Sequence, residues 1–98
     1  MMKEKSFENK IKDFLDSIGA VWYKQFGCSY TKAGTPDLLC CVNGHFVAVE
    51  VKAEKGRPSP LQLYNIDKIR KAGGAVYILY PKEFDQFKTD MEKLNETY

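Results

Sequence analysis

The fold of this chain is decided by residues 37–52, DLLCCVNGHFVAVEVK. Two apolar runs, Asp37–Val42 and His45–Lys52, flank the dipeptide Asn43-Gly44. Asn-Gly between such runs is typical of a two-residue hairpin turn, because both turn residues must tolerate a positive φ. Each run is apolar on both faces, which is the pattern of strands in the middle of a sheet that helices cover on either side. The stretch therefore predicts an antiparallel pair of central strands.

The segments on either side of this hairpin predict the rest of one small domain. Apolar periodicity, cap residues and chain breakers indicate a helix from Ser6 to Gly19, a strand over Val21–Phe26, a loop over Gly27–Pro36, a helix from Ser59 to about Ala72, a strand over Ala75–Tyr80 and a last helix carrying Phe84, Phe87, Met91 and Leu94. The crossover helix before the fourth strand makes the last two strands parallel. We predict an α/β fold of order α-β-β-β-α-β, with a mixed four-stranded sheet flanked by helices, plus a C-terminal helix. No repeat or linker divides the chain, so we expect residues 1–98 to form one domain.

The composition narrows the class of protein. Hydrophobic residues make up 44% of the 98 residues and charged residues 29%, which excludes intrinsic disorder. The net charge of +2 argues against a binder that depends on bulk positive charge. No apolar run reaches the roughly 20 residues that span a bilayer, so no membrane partner is expected. The three cysteines, two of them adjacent, suggest no disulfide framework, and we expect an intracellular, cytoplasmic protein.

Two carboxylates meet across the predicted hairpin. A two-residue turn pairs Val42 with His45, and counting outward from that pair places Asp37 opposite Glu50 on the same face. Like charges directly opposite each other are destabilising unless a cation lies between them. Carboxylate oxygens suit a hard ion such as Mg²⁺ or Mn²⁺. A β-bulge would shift the register by one residue, so the pairing is a prediction for the structure to test.

Lys52 follows Glu50 by two residues and therefore shares its face. An ammonium group there could hold an attacking water or stabilise charge on a phosphate, or it could merely neutralise a carboxylate as a structural ion pair. The sequence Gly-Thr-Pro-Asp over Gly34–Asp37, at the far end of the opposing strand, favours the catalytic interpretation.

These residues resemble the PD-(D/E)xK nucleases, in which two strands carry the metal site. The finer match is to the VRR-NUC branch of that superfamily, as a small stand-alone, phage-like member, and it covers roughly residues 6–80. It depends on four features in order: an early helical Glu8, Gly34–Asp37, the Glu50-Val51-Lys52 triplet and the pattern Ser59–Gln62. The resemblance implies a restriction-endonuclease-like core, which agrees with the element order above.

The resemblance also implies a role for each matching residue. Asp37 and Glu50 would be direct metal ligands, with the backbone carbonyl of Val51 as a third, and Lys52 would orient or activate water. Glu8 would lie near the metal, contacting it through water. As an alternative, Glu8 is a first-turn carboxylate that complements the helix dipole.

Gln62 has two interpretations. It lies within the sheet-facing stripe of the second predicted helix, where a polar group needs a partner. It could form a capping box with Ser59, three residues earlier. The resemblance instead directs it to the metal site or the scissile phosphate, and we favour that catalytic role.

Four loop residues are candidates for contact with nucleic acid. Tyr30 and Lys32 precede Asp37, and Lys55 and Arg57 follow the Glu-Val-Lys strand. Basic side chains in such positions contact phosphates, although solvated loop charges are an equally good interpretation.

The resemblance implies a Mg²⁺- or Mn²⁺-dependent endonuclease that hydrolyses phosphodiester bonds in branched DNA such as Holliday (four-way) junctions. The resemblance also implies a homodimer, and Phe84 and Phe87 are candidates for its interface, with a core role as the simpler interpretation. The minimal size suggests a bacterial or phage-infected cell as the setting. The alternatives are a sequence-specific restriction-type nuclease and a non-catalytic nucleic-acid-binding module on the same fold.

Overall fold

The computed structural model describes residues 3–26 and 33–96. Its elements follow the predicted order: α1 (Glu4–Ser17), β1 (Val21–Lys24), β2 (Leu38–Val42), β3 (His45–Val51), α2 (Pro60–Lys71), β4 (Ala75–Leu79), a short 3₁₀ turn (Pro81–Glu83) and α3 (Phe84–Asn95). The predicted fold class is confirmed.

The four strands form one sheet in the order β1-β2-β3-β4. β1 and β3 both run antiparallel to β2, and β4 runs parallel to β3 after the α2 crossover. At the hairpin turn, Asn43 has a φ of 49° and Gly44 a φ of 84°, as a turn with two positive φ values requires. The β2–β3 register runs without a bulge from the Val42–His45 pair to the Leu38–Val49 pair. One further step places Asp37 opposite Glu50.

Helices cover both faces of the sheet, and the two layers differ in size. α1 and α3 enclose the larger core, which contains Phe7, Ile11, Leu15, Leu38, Cys40, Val42, Val47, Val49, Val51, Leu79, Phe87 and Met91. α2 covers part of the other face through a smaller cluster of Ala48, Ile66 and Val76. The carboxyl-terminal end of β3, where the site lies, is therefore held between both layers.

The two aromatic residues considered for a dimer interface serve the core. Phe87 is fully buried, and Phe84 packs edge-on against Phe7 with ring centroids 5.6 Å apart. The Phe14 ring also packs edge-on against the rings of Phe84 and Phe87, with centroids 6.2 Å apart in each pair. Phe87 therefore has the core role rather than an interface role, because the described residues enclose its side chain.

The first helix begins earlier than the capping rule predicts. The structure places its N-cap at Lys3, without a side-chain hydrogen bond, and Ser6 lies inside the first turn. The predicted cap at Ser6 is therefore wrong. Glu4 stands in the first turn, where a negative charge complements the helix dipole, and this favours the earlier start.

Among the residues that the structure describes, no helix is both long enough and apolar enough to cross a membrane.

Candidate active site

Asp37 and Glu50 come together at the end of the central hairpin, as the register requires. Glu50 is 1% exposed and projects from β3. Asp37 lies directly before β2, and its Oδ2 accepts a hydrogen bond from the Val51 N–H at 2.8 Å. This bond fixes the Asp37 carboxylate beside the Glu50-Val51-Lys52 triplet.

One oxygen of Glu50 has no hydrogen-bond partner among the residues that the structure describes. Oε2 accepts from Gln62 and contacts Lys52, but Oε1 is buried without any hydrogen bond. Burial and the neighbouring Asp37 charge raise the pKa of Glu50 above its usual value, and Lys52 offsets only part of that rise. A buried carboxylate whose charged form is destabilised in this way is stabilised by binding a cation.

The Lys52 ammonium lies directly beside Glu50. Its Nζ is 3.1 Å from Glu50 Oε2 and 3.3 Å from Gln62 Oε1, and the side chain is 13% exposed. Glu50 and Lys52 therefore lie on the same face of the sheet, as their spacing in the predicted hairpin requires. An ammonium at the mouth of the site can act on a solvent molecule or a phosphate oxygen there.

Gln62 forms the predicted capping box and also contacts Glu50. Its Oε1 accepts from the Ser59 backbone N–H at 2.8 Å, and Ser59 Oγ accepts from the Gln62 backbone N–H at 3.1 Å, which completes a capping box. The same side chain donates through Nε2 to Glu50 Oε2 at 2.9 Å. Because one amide offers an acceptor and two donors, it serves the helix and the site together.

Glu8 is buried and pairs with two lysines. It is 4% exposed, and its carboxylate lies 2.6 Å from Lys24 Nζ and 3.0 Å from Lys12 Nζ. Burial alone would raise the pKa of Glu8, but the hydrogen bonds and charges of Lys24 and Lys12 lower it below the usual value. Glu8 stands more than one turn beyond the helix start at Glu4, so the first-turn interpretation does not apply to it.

Lys24 is the site residue that sequence reasoning missed. It ends β1 and pairs with Leu38, next to Asp37, and its Nζ lies 3.7 Å from Asp37 Oδ1. Burial would lower the pKa of Lys24, yet hydrogen bonds and charge from Glu8 and Asp37 raise it. The register of β1 against β2 would have revealed this position, but no short turn fixes that register in the sequence.

The loop that delivers Asp37 is held against α2 by a buried amide. Asn65 is 7% exposed and donates through Nδ2 to the carbonyls of Ala33 and Leu61, at 3.2 and 2.9 Å. Gly34 has a φ of 81°, and a Cβ there would lie 2.7 Å from Asn65 Nδ2 and 2.9 Å from the Leu61 carbonyl oxygen. Both the backbone conformation and the close approach require glycine.

We expect Gly34→Ala to lower the free energy of unfolding by about 2–4 kcal/mol, from a left-handed backbone penalty plus overpacking against Asn65. Gly44→Ala is the matched control, because Gly44 has a φ of 84° and nothing within 4 Å of the added Cβ. That control should lose only about 1–2 kcal/mol. Urea denaturation measures both changes, and equal losses would show that the approach to α2 costs nothing.

The predicted nucleic-acid contacts are only partly described. Lys55 and Arg57 line a cleft of about 290 Å³ together with Lys82, Tyr80 and two glutamates. The Tyr80 hydroxyl donates to the Gly56 carbonyl at 2.8 Å and so shapes the loop. Tyr30 and Lys32 lie outside the described residues.

The donors present fit a hard divalent ion. The described residues contain no group of three or more His, Cys, Asp and Glu side chains that could hold a metal. Asp37 and Glu50 are a pair, so the set reaches three only with a backbone oxygen such as the Val51 carbonyl. The unpartnered Glu50 Oε1 supplies the observation that favours a cation.

Comparison with known proteins agrees with this fold. The family of VRR-NUC domains matches residues 3–83. A solved structure described as a VRR_NUC domain is 25% identical in sequence, with a TM-score of 0.68, and the match covers 100% of this chain and 99% of that one. No curated protein matches the chain.

Proposed function

Because the chain belongs to the VRR-NUC family of nuclease domains, we propose that it is a Mg²⁺- or Mn²⁺-dependent endonuclease that hydrolyses phosphodiester bonds in branched DNA. Four-way junctions are the substrate we expect. The observation that carries the proposal is the buried Glu50 carboxylate, which faces Asp37 and has one oxygen without a partner.

The side chains divide the chemistry between them. Asp37 and Glu50, with the Val51 carbonyl, would hold the ion, which supplies a lowered pKa for an attacking water and a clamp for the phosphate. Lys52, held by Glu50 and Gln62, orients that water and stabilises the negative charge that develops on the phosphate. The water oxygen bonds to phosphorus, the bond from phosphorus to the 3′ oxygen breaks, and that oxygen leaves with a proton.

The cleft lined by Lys55 and Arg57 offers contacts for the DNA backbone. Lys55 and Arg57 precede α2, and Lys82 adds a third cation across the same cleft. Contacts of this type position the duplex without reading its sequence, which suits an enzyme that recognises DNA shape. Contacts from Tyr30 and Lys32 remain predictions.

A homodimer is part of the proposal. Two active sites related by a two-fold axis would match the symmetry of a four-way junction and its paired cuts. Sedimentation velocity at micromolar concentration tests this directly, since a mass of one 11.2 kDa chain would contradict it.

The defining experiment compares a labelled four-way junction with a linear duplex of the same arm sequence, in Mg²⁺, Mn²⁺ or EDTA. We expect cutting of the junction with either ion, none with EDTA, and little cutting of the duplex. Equal cutting of both substrates would overturn the branch specificity, and cutting at one fixed sequence would favour a restriction-type enzyme. Binding without cutting under every condition would favour a non-catalytic module.

Gln62 allows its two roles to be separated. Gln62→Glu keeps the acceptor for the Ser59 N–H but removes the donor to Glu50, so we expect cleavage to fall about 10–100-fold. Ser59→Ala is the matched control, because it removes the cap and leaves the Gln62 amide in place. That control should lower the free energy of unfolding by about 1 kcal/mol and leave cleavage within a few fold. Cleavage at the wild-type rate by Gln62→Glu would show that Gln62 acts only as a cap.

A further inference from the structure

A lysine lies between two carboxylates beside the proposed metal site. Lys24 Nζ is 2.6 Å from Glu8 Oε1 and 3.7 Å from Asp37 Oδ1. The three side chains come from α1, β1 and the residue before β2, and their exposed fractions are 6% for Glu8, 22% for Lys24 and 25% for Asp37. Three separate elements thus converge on one ammonium group.

We propose that this ammonium occupies the gap between Glu8 and Asp37, so that the site binds one divalent ion, between Asp37 and Glu50, and not two. Lys24 is then a positioning residue, which holds Asp37 from one side while the ion binds between Asp37 and Glu50. The inference depends on the proposed metal-dependent function and adds the number of ions, which neither the family nor the sequence pattern supplies.

The charge balance around Glu8 supports this proposal. Glu8 already has two cations within hydrogen-bonding distance, because Lys12 Nζ lies 3.0 Å from its other oxygen. A divalent ion bound to Glu8 would therefore meet two ammonium groups at close range, and repulsion between them is strong where water is largely excluded. A short bond between an ammonium and a carboxylate is also among the stronger hydrogen bonds in a protein.

The gap between Asp37 and Glu50 differs in this respect. Lys52 contacts Glu50 only through Oε2, and Oε1 is buried without a partner. Lys24 approaches Asp37 through Oδ1, whereas Oδ2 accepts the Val51 N–H. The Glu8–Asp37 pair thus shares one ammonium between its carboxylates, whereas the Asp37–Glu50 pair keeps a buried oxygen without a described partner, which favours an ion from solution.

The test is a count of Mn²⁺ ions bound at saturation, measured by electron paramagnetic resonance and isothermal titration without DNA. We expect one ion per chain for the wild type. Lys24→Met should bind two, a two-fold increase, because the Glu8–Asp37 gap then lacks its cation. Lys12→Met is the matched control, since it also removes a cation from Glu8 but leaves the bridge intact, and it should bind one.

Each outcome decides the proposal. Two ions in the wild type, or one ion in a folded Lys24→Met protein, would overturn it. Circular dichroism checks that each variant folds. If Lys24→Met does not fold, Lys24→Gln replaces it. The ion count of the wild type tests the proposal without any variant. If none of the proteins binds Mn²⁺, the proposed metal-dependent function itself is wrong. That outcome differs from a wild type that binds two ions, which overturns only the number of ions.

Discussion

Lys52→Met is expected to lower the rate of DNA cleavage by about 10²–10⁴-fold, the loss typical of removing a group that moves or orients a proton. The Lys52 ammonium lies 3.1 Å from Glu50 Oε2 and is mostly buried, so no other described cation takes its place at that carboxylate. Methionine preserves much of the volume of the side chain. Single-turnover cleavage of a four-way junction at saturating Mn²⁺ measures the effect on the chemical step.

Lys71→Met is the matched control for this prediction. Lys71 is exposed on α2 and pairs only with Asp67, at 2.9 Å along the same helix. Such a surface pair contributes little to stability, so this variant should cleave at the wild-type rate. A Lys52→Met protein that binds the junction and cuts it as fast as the Lys71→Met protein would contradict the role assigned to Lys52.

Glu50→Gln is expected to abolish both cleavage and the thermal stabilisation that a divalent ion gives to the wild type. An ion at about 100 times its dissociation constant stabilises a folded protein by about 2.7 kcal/mol, which raises the Tm of a domain of this size by roughly 10–20 °C. In Glu50→Gln, the neutral amide removes one of the two carboxylates that attract the ion. Differential scanning fluorimetry with and without Mn²⁺ measures the shift.

Without metal, the wild type and Glu50→Gln should differ less in Tm. Burial and Asp37 raise the pKa of Glu50, so keeping the Glu50 charge costs free energy in the metal-free folded state. Glu50→Gln removes that charge and should not lower the Tm of the metal-free protein as much as it lowers the Tm with Mn²⁺. An equal fall under both conditions would show that Glu50 has a structural role alone, and a retained Mn²⁺ shift would place the ion elsewhere.

The parts of the site that the sequence predicts are those fixed by short-range rules. The turn at Asn43-Gly44 sets the β2–β3 register, and the register alone brings Asp37 opposite Glu50. The face shared by Glu50 and Lys52 follows from the alternation of a strand. The relative positions of Asp37, Glu50 and Lys52 can therefore be predicted without knowing how the helices pack.

The parts that the sequence does not predict depend on long-range packing. Lys24 contacts Asp37 because β1 pairs with β2 across a connection of more than ten residues, whose length sets no register. Glu8 contacts Lys24 because of the way α1 lies on the sheet. Apolar periodicity identifies the buried face of a helix but does not define its placement on the sheet closely enough to predict this contact. From the sequence, the cap and a contact with the acidic pair are alternatives for Gln62, because a pattern of residue types cannot show one amide bonding in two directions.

The shared amide of Gln62 makes the first turn of α2 and the acidic centre a single cooperative unit. If that turn frays, Glu50 loses a donor and Lys52 loses an acceptor at the same moment. A nascent or partly folded chain therefore lacks the ordered centre even when its hairpin has formed. In a nuclease domain, such a dependence would tie the reactive arrangement to the fully folded state, so that folding intermediates would not cut genomic DNA.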